Sequence, residues 1–303
     1  MPDALPGQAS LVGLTGLAAE LGDLKRLRDA SSPDSLATRL FRRGWGALAA
    51  GQPIDSVAYA CTAAAIAACR LGGIDRFVLE GAGISTSDAD AIVQRGFDEM
   101  AGIIDPGLAN TLRHHLPTPL SANPAPAFAE ALIRQPRAGA TCPGKPRIVL
   151  EPPEGHGDHC MIVAVLACIL APRYDADPAT AFLAGMAHHL HNAYLPDSGF
   201  AGEILLGDHL RSIMQTLFAR ELATLPVALA ATTRAALSEI GTADTPVGRA
   251  FNAADVIDRV LQMRHYDQVA QFRTAQALED LDLVHVGPVQ AFHYGVLRES
   301  GLV

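Results

Sequence analysis

Apolar positions along this chain recur mainly at helical spacing, and the breaks between them carry helix start and stop signals. A first helix is predicted around Leu14 to Asp29. From Leu36 to Cys69 the sequence is Ala-rich and helical, interrupted at Gly51-Gln52-Pro53 and ended by Leu71-Gly72-Gly73, a glycine stop. Ser85-Thr86-Ser87-Asp88 offers an N-cap for a helix through Met100, and a short helix is predicted over Gly107 to His115. After residue 150 helices are predicted over His159 to Leu170, Pro178 to Asn192, Ala201 to Leu222, Pro226 to Ile240 and Val247 to Tyr266. A final pair is predicted over Gln268 to Leu281 and Gly287 to Leu297.

Between Leu116 and Pro153 the periodicity stops. Pro117, Pro119, Pro124, Pro126, Pro136, Pro143, Pro146, Pro152 and Pro153 crowd this stretch and leave room for one short helix, Ala127 to Ile133. The segment reads as a linker or wrapping arm, with a domain boundary near residue 140. Residues 1–140 then form a helical N-terminal region with its Pro-rich connection, and residues 141–303 a second helical domain. No G-x-G-x-x-G, P-loop or G-x-S-x-G occurs, so nucleotide-fold and serine-hydrolase readings have no motif behind them.

Composition agrees with an all-α protein. The chain has 303 residues and is 49% hydrophobic but only 5% aromatic, which with its abundant alanine favours closely packed helices over a sandwich or barrel. A net charge of -9 and a pI near 5.6 argue against nucleic-acid binding, which needs a basic stripe to displace counterions. The apolar runs Val57 to Cys69 and Cys160 to Pro172, each about 13 residues, fall short of the roughly 20 that span a bilayer. Cys61, Cys69, Cys142, Cys160 and Cys168 include no C-x-x-C pair, and the N-terminus lacks the basic start of a signal peptide. A cytoplasmic protein acting on a small molecule is expected, without nucleic-acid or membrane partners. A homodimer is the commonest assembly for such a chain.

Five of the eleven histidines lie between Gly155 and Asn192, at the two ends of a segment that otherwise reads as core. Imidazoles emerging from a core are costly unless ligated or hydrogen-bonded, so His159 and the run His188-His189-Leu190-His191 point to a metal site. His156, in Gly155-His156-Gly157, reads as a loop residue. His114-His115 reads as a solvated helix end, because neighbouring helical residues diverge by about 100°. His265, His285 and His293 read as structural or surface residues.

Three segments resemble the HD-domain superfamily of metal-dependent phosphohydrolases and related oxygenases. Asp158-His159-Cys160-Met161-Ile162-Val163-Ala164 is similar to the family's helix-opening histidine. Asp177 through His189 resembles the helix carrying its His-Asp doublet, and Phe251-Asn252-Ala253-Ala254-Asp255 resembles the late helix that supplies the last ligand. The resemblance implies an HD-like helical bundle preceded by a helical region, and the ligands His159, His188, His189 and Asp255. His189 stands where the family has aspartate. A carboxylate can bridge two ions and an imidazole nitrogen cannot, so one ion is the expectation, drawn from Fe, Mn, Co, Ni or Zn.

The family's nucleotidases also carry acids three and eight positions beyond the doublet, where this chain has Asn192 and Asp197. The resemblance therefore implies Asp197 as the acid or base, with His191 substituting at Asn192 because histidine titrates near neutral pH. Arg211, Arg259 and Arg264 are candidate phosphate contacts. The implied activity is hydrolysis of a small phosphorylated metabolite by a metal-activated water. One alternative is an iron oxygenase with His209 as an extra ligand; another is a binding or regulatory module without catalysis.

Overall fold

The computed structural model describes residues 11–269 and 290–299. The all-α expectation is met: among the described residues there is no strand, only isolated bridges such as Pro136 to Gly155. In chain order the helices are α1 (Leu11–Asp23), α2 (Leu36–Ala49), α3 (Ile54–Leu71), α4 (Arg76–Gly81), α5 (Thr86–Ala101), α6 (Pro106–His115) and α7 (Ala127–Arg134). There follow α8 (His156–Leu170), α9 (Pro178–Ala187), α10 (Gly199–Leu206), α11 (His209–Leu222), α12 (Val227–Glu239), α13 (Pro246–Val269) and α14 (Gln290–Glu299).

Contacts divide the chain after Leu261 into two units, the second of which includes the end of α13 and α14. Most of the expected pair over 268–281 and 287–297 lies outside the described residues, apart from the end of α13 and the α14 segment.

The first unit is built around α8. All fifteen residues of this helix are buried, including its first turn, and it has apolar side chains on every face. Helices α1, α2, α3, α7 and α9 pack against it, so segments on both sides of residue 140 share one core. Trp45 of α2 anchors that core, edge-on to Phe128 of α7 at 4.8 Å and to Phe41 at 6.5 Å. By length and composition α3 and the stretch His156–Tyr174 could cross a membrane, being longer than the apolar runs in the sequence, but half of the first and 83% of the second is buried inside the fold.

Helix boundaries depart from the sequence expectation where they matter most. Gly155 in extended conformation starts α8 three residues early, which brings His156 into the helix. Asp177 caps α9 through Thr180, as expected of an Asp-Pro start, but the helix stops at Ala187 rather than Asn192. His188 is its C-cap, and a 3-10 turn, Leu190–Ala193, follows. The helix expected over 201–222 is interrupted at Gly207, whose φ of 52° lies in the left-handed region that favours glycine.

Helices α8 and α9 touch through a gap that only a hydrogen can fill. A Cβ on Gly185 would stand 2.5 Å from the Ala164 Cα and 2.7 Å from its amide nitrogen, both backbone atoms. Gly185→Ala is expected to destabilise the protein by about 1–3 kcal/mol, because the helices must separate. Urea unfolding of the two proteins measures it, and an unchanged midpoint would mean that the contact is looser than described.

Candidate metal centre

The prolines at 152 and 153 keep the chain out of helix until Gly155, and the first turn of α8 then carries His156, Asp158 and His159 into the interior. Each has a partner waiting. Asp158 accepts hydrogen bonds from Ser35 and, at 2.8 Å, from Thr38, which belong to the start of α2. His156 directs Nδ1 at the Gln135 carbonyl, 2.9 Å away, and His159 directs Nδ1 at Asp258 Oδ2, 2.8 Å away.

The early end of α9 positions the other imidazoles. His188 Nδ1 lies 2.7 Å from the Gly185 carbonyl, and His189 Nδ1 lies 2.7 Å from Asn192 Oδ1. The Asn192 amide orientation follows from its other end, where Nδ2 donates to the Leu195 carbonyl at 3.0 Å. Asn192 thus orients His189.

A carbonyl, a carboxylate and an amide oxygen only accept hydrogen bonds, so the Nδ1 of His159, His188 and His189 each carries the proton. Their Nε2 atoms are then free to bind a cation, and one ligand atom from each residue lies within 4.8 Å of the others. His159 Nε2 and His188 Nε2 face each other at 3.1 Å, and Asp255 Oδ1 stands 3.4 Å from the same His159 nitrogen. Two lone-pair atoms thus crowd the His159 Nε2, an arrangement that a divalent ion would relieve. The donor set of imidazole nitrogens and one carboxylate suits a first-row transition metal, and the Nδ1 anchors are the orienting bonds typical of metal-bound histidines. Of the four residues expected as ligands, His159, His188 and His189 are gathered in one place, and Asp255 stands beside His159.

Behind His159 lies a buried charge network. Asp258 Oδ1 receives Lys25 Nζ at 2.6 Å, and the same ammonium reaches Glu154 Oε1 at 2.5 Å. Glu154, His159 and Asp258 also have cation-binding geometry, but the cation there is the lysine. Burial works against charge on both sides of the pair. The mutual attraction prevails, holding Lys25 above its ordinary pKa and Asp258 below the usual carboxylate range.

The remaining candidates fall in different places. Asp197 ties two loops together, its Oδ2 accepting from the Ala138 amide at 2.9 Å and its Oδ1 from the Gly199 amide at 2.8 Å. His191 packs between His189 and Phe218, at 5.7 and 5.1 Å between ring centres, and its buried Nδ1 has no partner. Burial lowers its pKa to about 4, so the near-neutral titration expected of it is lost. His209 is exposed at the start of α11 and makes no ring contact with the cluster. Arg211 is exposed, and Arg259 pairs with Asp255 Oδ2 at 3.0 Å.

Sequence reasoning missed His156, Asp258, Lys25 and Arg137. His156 is fully buried with its ring 4.8 Å from that of His189. The spacing His156/His159 and Asp255/Asp258, three apart on a helix, was a usable signal for two of the four. Arg137 leaves a buried Nη1 without a partner. Burial is the largest cause of the lowered pKa values of His156, His188 and His189, and the charge of Arg137 adds to it in each.

No family model matches this chain, and no curated protein or solved structure matches it.

Two outcomes follow from this geometry. Lys25→Met removes the shared cation of a buried network, leaving Asp258 with only His159 and Glu154 with only Arg137, 3.8 Å away; a loss of about 3–5 kcal/mol is expected in chemical unfolding, and a loss under 1 kcal/mol would contradict it. The second concerns pH. His156 and His191 have folded pKa values of about 4 against an ordinary 6.5, so the unfolded chain takes up protons first as pH falls. Metal-free protein should keep this stability above pH 6.5 and lose it progressively down to about 4. A thermal midpoint that is flat across that window would show that these imidazoles are solvated.

Proposed function

We propose that this chain is an HD-type metal-dependent hydrolase acting on a small phosphorylated metabolite, with His159, His188, His189 and Asp255 holding the ion. The observation that carries the reading is the facing pair of Nε2 atoms at 3.1 Å, with Asp255 Oδ1 beside it. With both Nδ1 atoms anchored, no neutral tautomer of the pair satisfies that contact.

When bound, a divalent ion lowers the pKa of a coordinated water and offsets charge on phosphoryl oxygens. The chain's own residues supply the rest. Asp258 keeps the His159 Nδ1 proton in place, Asn192 does the same for His189, and the Gly185 carbonyl does so for His188. The donors are therefore fixed before any ligand arrives, which lowers the ordering cost of binding. An anionic substrate is favoured by Arg137, a cation beside the histidines with one buried Nη1 unpaired. Guanidinium forks match phosphate geometry, and a phosphoryl oxygen would supply the missing acceptor.

The reading is tested by metal analysis and a phosphomonoester panel. Purified protein should contain at least one transition-metal ion per chain, and His159→Ala should lose it. Phosphatase activity should disappear with chelator and return with one of Mn, Fe, Co, Ni or Zn. Arg137→Ala should raise KM about tenfold or more with the metal retained, as expected for loss of a charge-assisted contact. Protein that binds none of these ions would rule the reading out.

A further inference from the structure

We propose that His156 and Asp197 form a second divalent-metal position beside the His159 centre, so that the site takes two ions. The inference rests on the metal-site reading above and extends it to residues outside that ligand set.

The first support is that His156 repeats the construction of His159. Both sit in the first turn of α8, both are buried, and both have Nδ1 fixed by an acceptor, the Gln135 carbonyl for one and Asp258 for the other. Both then present Nε2 to an aspartate. His159 Nε2 lies 3.4 Å from Asp255 Oδ1, and His156 Nε2 lies 3.6 Å from Asp197 Oδ2. Residues three apart on a helix share a face, so the repeat places two His-Asp pairs side by side.

The second support is the distance itself. At 3.6 Å the His156 and Asp197 atoms are too far apart to share a proton in a hydrogen bond, whereas the ion pair between His159 and Asp258 closes to 2.8 Å. Yet His156 Nε2 is buried and has no hydrogen-bond partner. Two atoms that each bind a metal at about 2.0–2.2 Å stand roughly 3.0–3.6 Å apart when they share an ion. The gap therefore matches a pair of ligands and not a hydrogen bond. Asp197 keeps the capacity for this role, because each oxygen accepts a single backbone N–H and retains a lone pair.

The third support is continuity. His189 lies between the two pairs, its ring 4.8 Å from that of His156 and 5.2 Å from that of His159. Replacement of the family's bridging aspartate by His189 removes a shared ligand, and His156 with Asp197 supplies a separate set for the second ion. With two protein ligands against four, the second ion binds more weakly and keeps positions open to water or substrate.

The test is a Co2+ titration of the metal-free full-length protein, followed by calorimetry and visible absorption, on wild type, His156→Leu and Asp197→Asn. Circular dichroism establishes that each variant is folded. The wild type should bind two Co2+ per chain, the second about tenfold or more weakly than the first, and each variant should retain only the tighter ion. A wild type that saturates at one Co2+, or a folded variant that still takes two, overturns the second position and leaves the first centre standing. Failure of the wild type to bind any Co2+ overturns the second position, and the first centre falls with it only when Mn, Fe, Ni and Zn also fail to bind. Should one substitution prevent folding, the wild-type stoichiometry and the other variant decide.

Discussion

The polar groups of α8 are confined to its first turn, and that turn is as deeply buried as the rest of the helix. An imidazole or carboxylate taken out of water without a partner costs several kcal/mol. The fold therefore has to meet His156, Asp158 and His159 from several directions at once. The start of α2 meets Asp158, the strap after α7 meets His156, and α13 meets His159. Together with the apolar packing around α8, these contacts tie the Pro-rich segment and α13 to the start of the helix.

The same obligation explains the charges. Asp258 orients His159, and as a buried carboxylate it needs a cation of its own, which Lys25 provides from the connection between α1 and α2. Glu154 shares that cation. Residues of the N-terminal region are in this way coupled to the orientation of His159, and the region acts as part of the scaffold of the histidine cluster.

The helical class and most helix positions were legible because they depend on local periodicity and capping, as the Asp177-Pro178 start shows. The clustering of His159, His188 and His189 was legible because imidazoles at the ends of apolar runs have few structural explanations. Other features were hidden for physical reasons. Lys25 looks like any surface lysine until the fold places it 2.6 Å from a residue 233 positions away. His156 reads as loop because Gly155 and Gly157 flank it, and only the extended Gly155 starts the helix there. The end of α9 at His188 has no proline or glycine to announce it, and it is this break that turns His189 and Asn192 toward each other.

The separation between Lys25 and Asp258 also sets an order of events during synthesis. The histidines on α8 and at the end of α9 leave the ribosome well before α13 does, yet His159 has no orienting carboxylate until Asp258 arrives. Nearly the whole first unit must be translated before the centre can close.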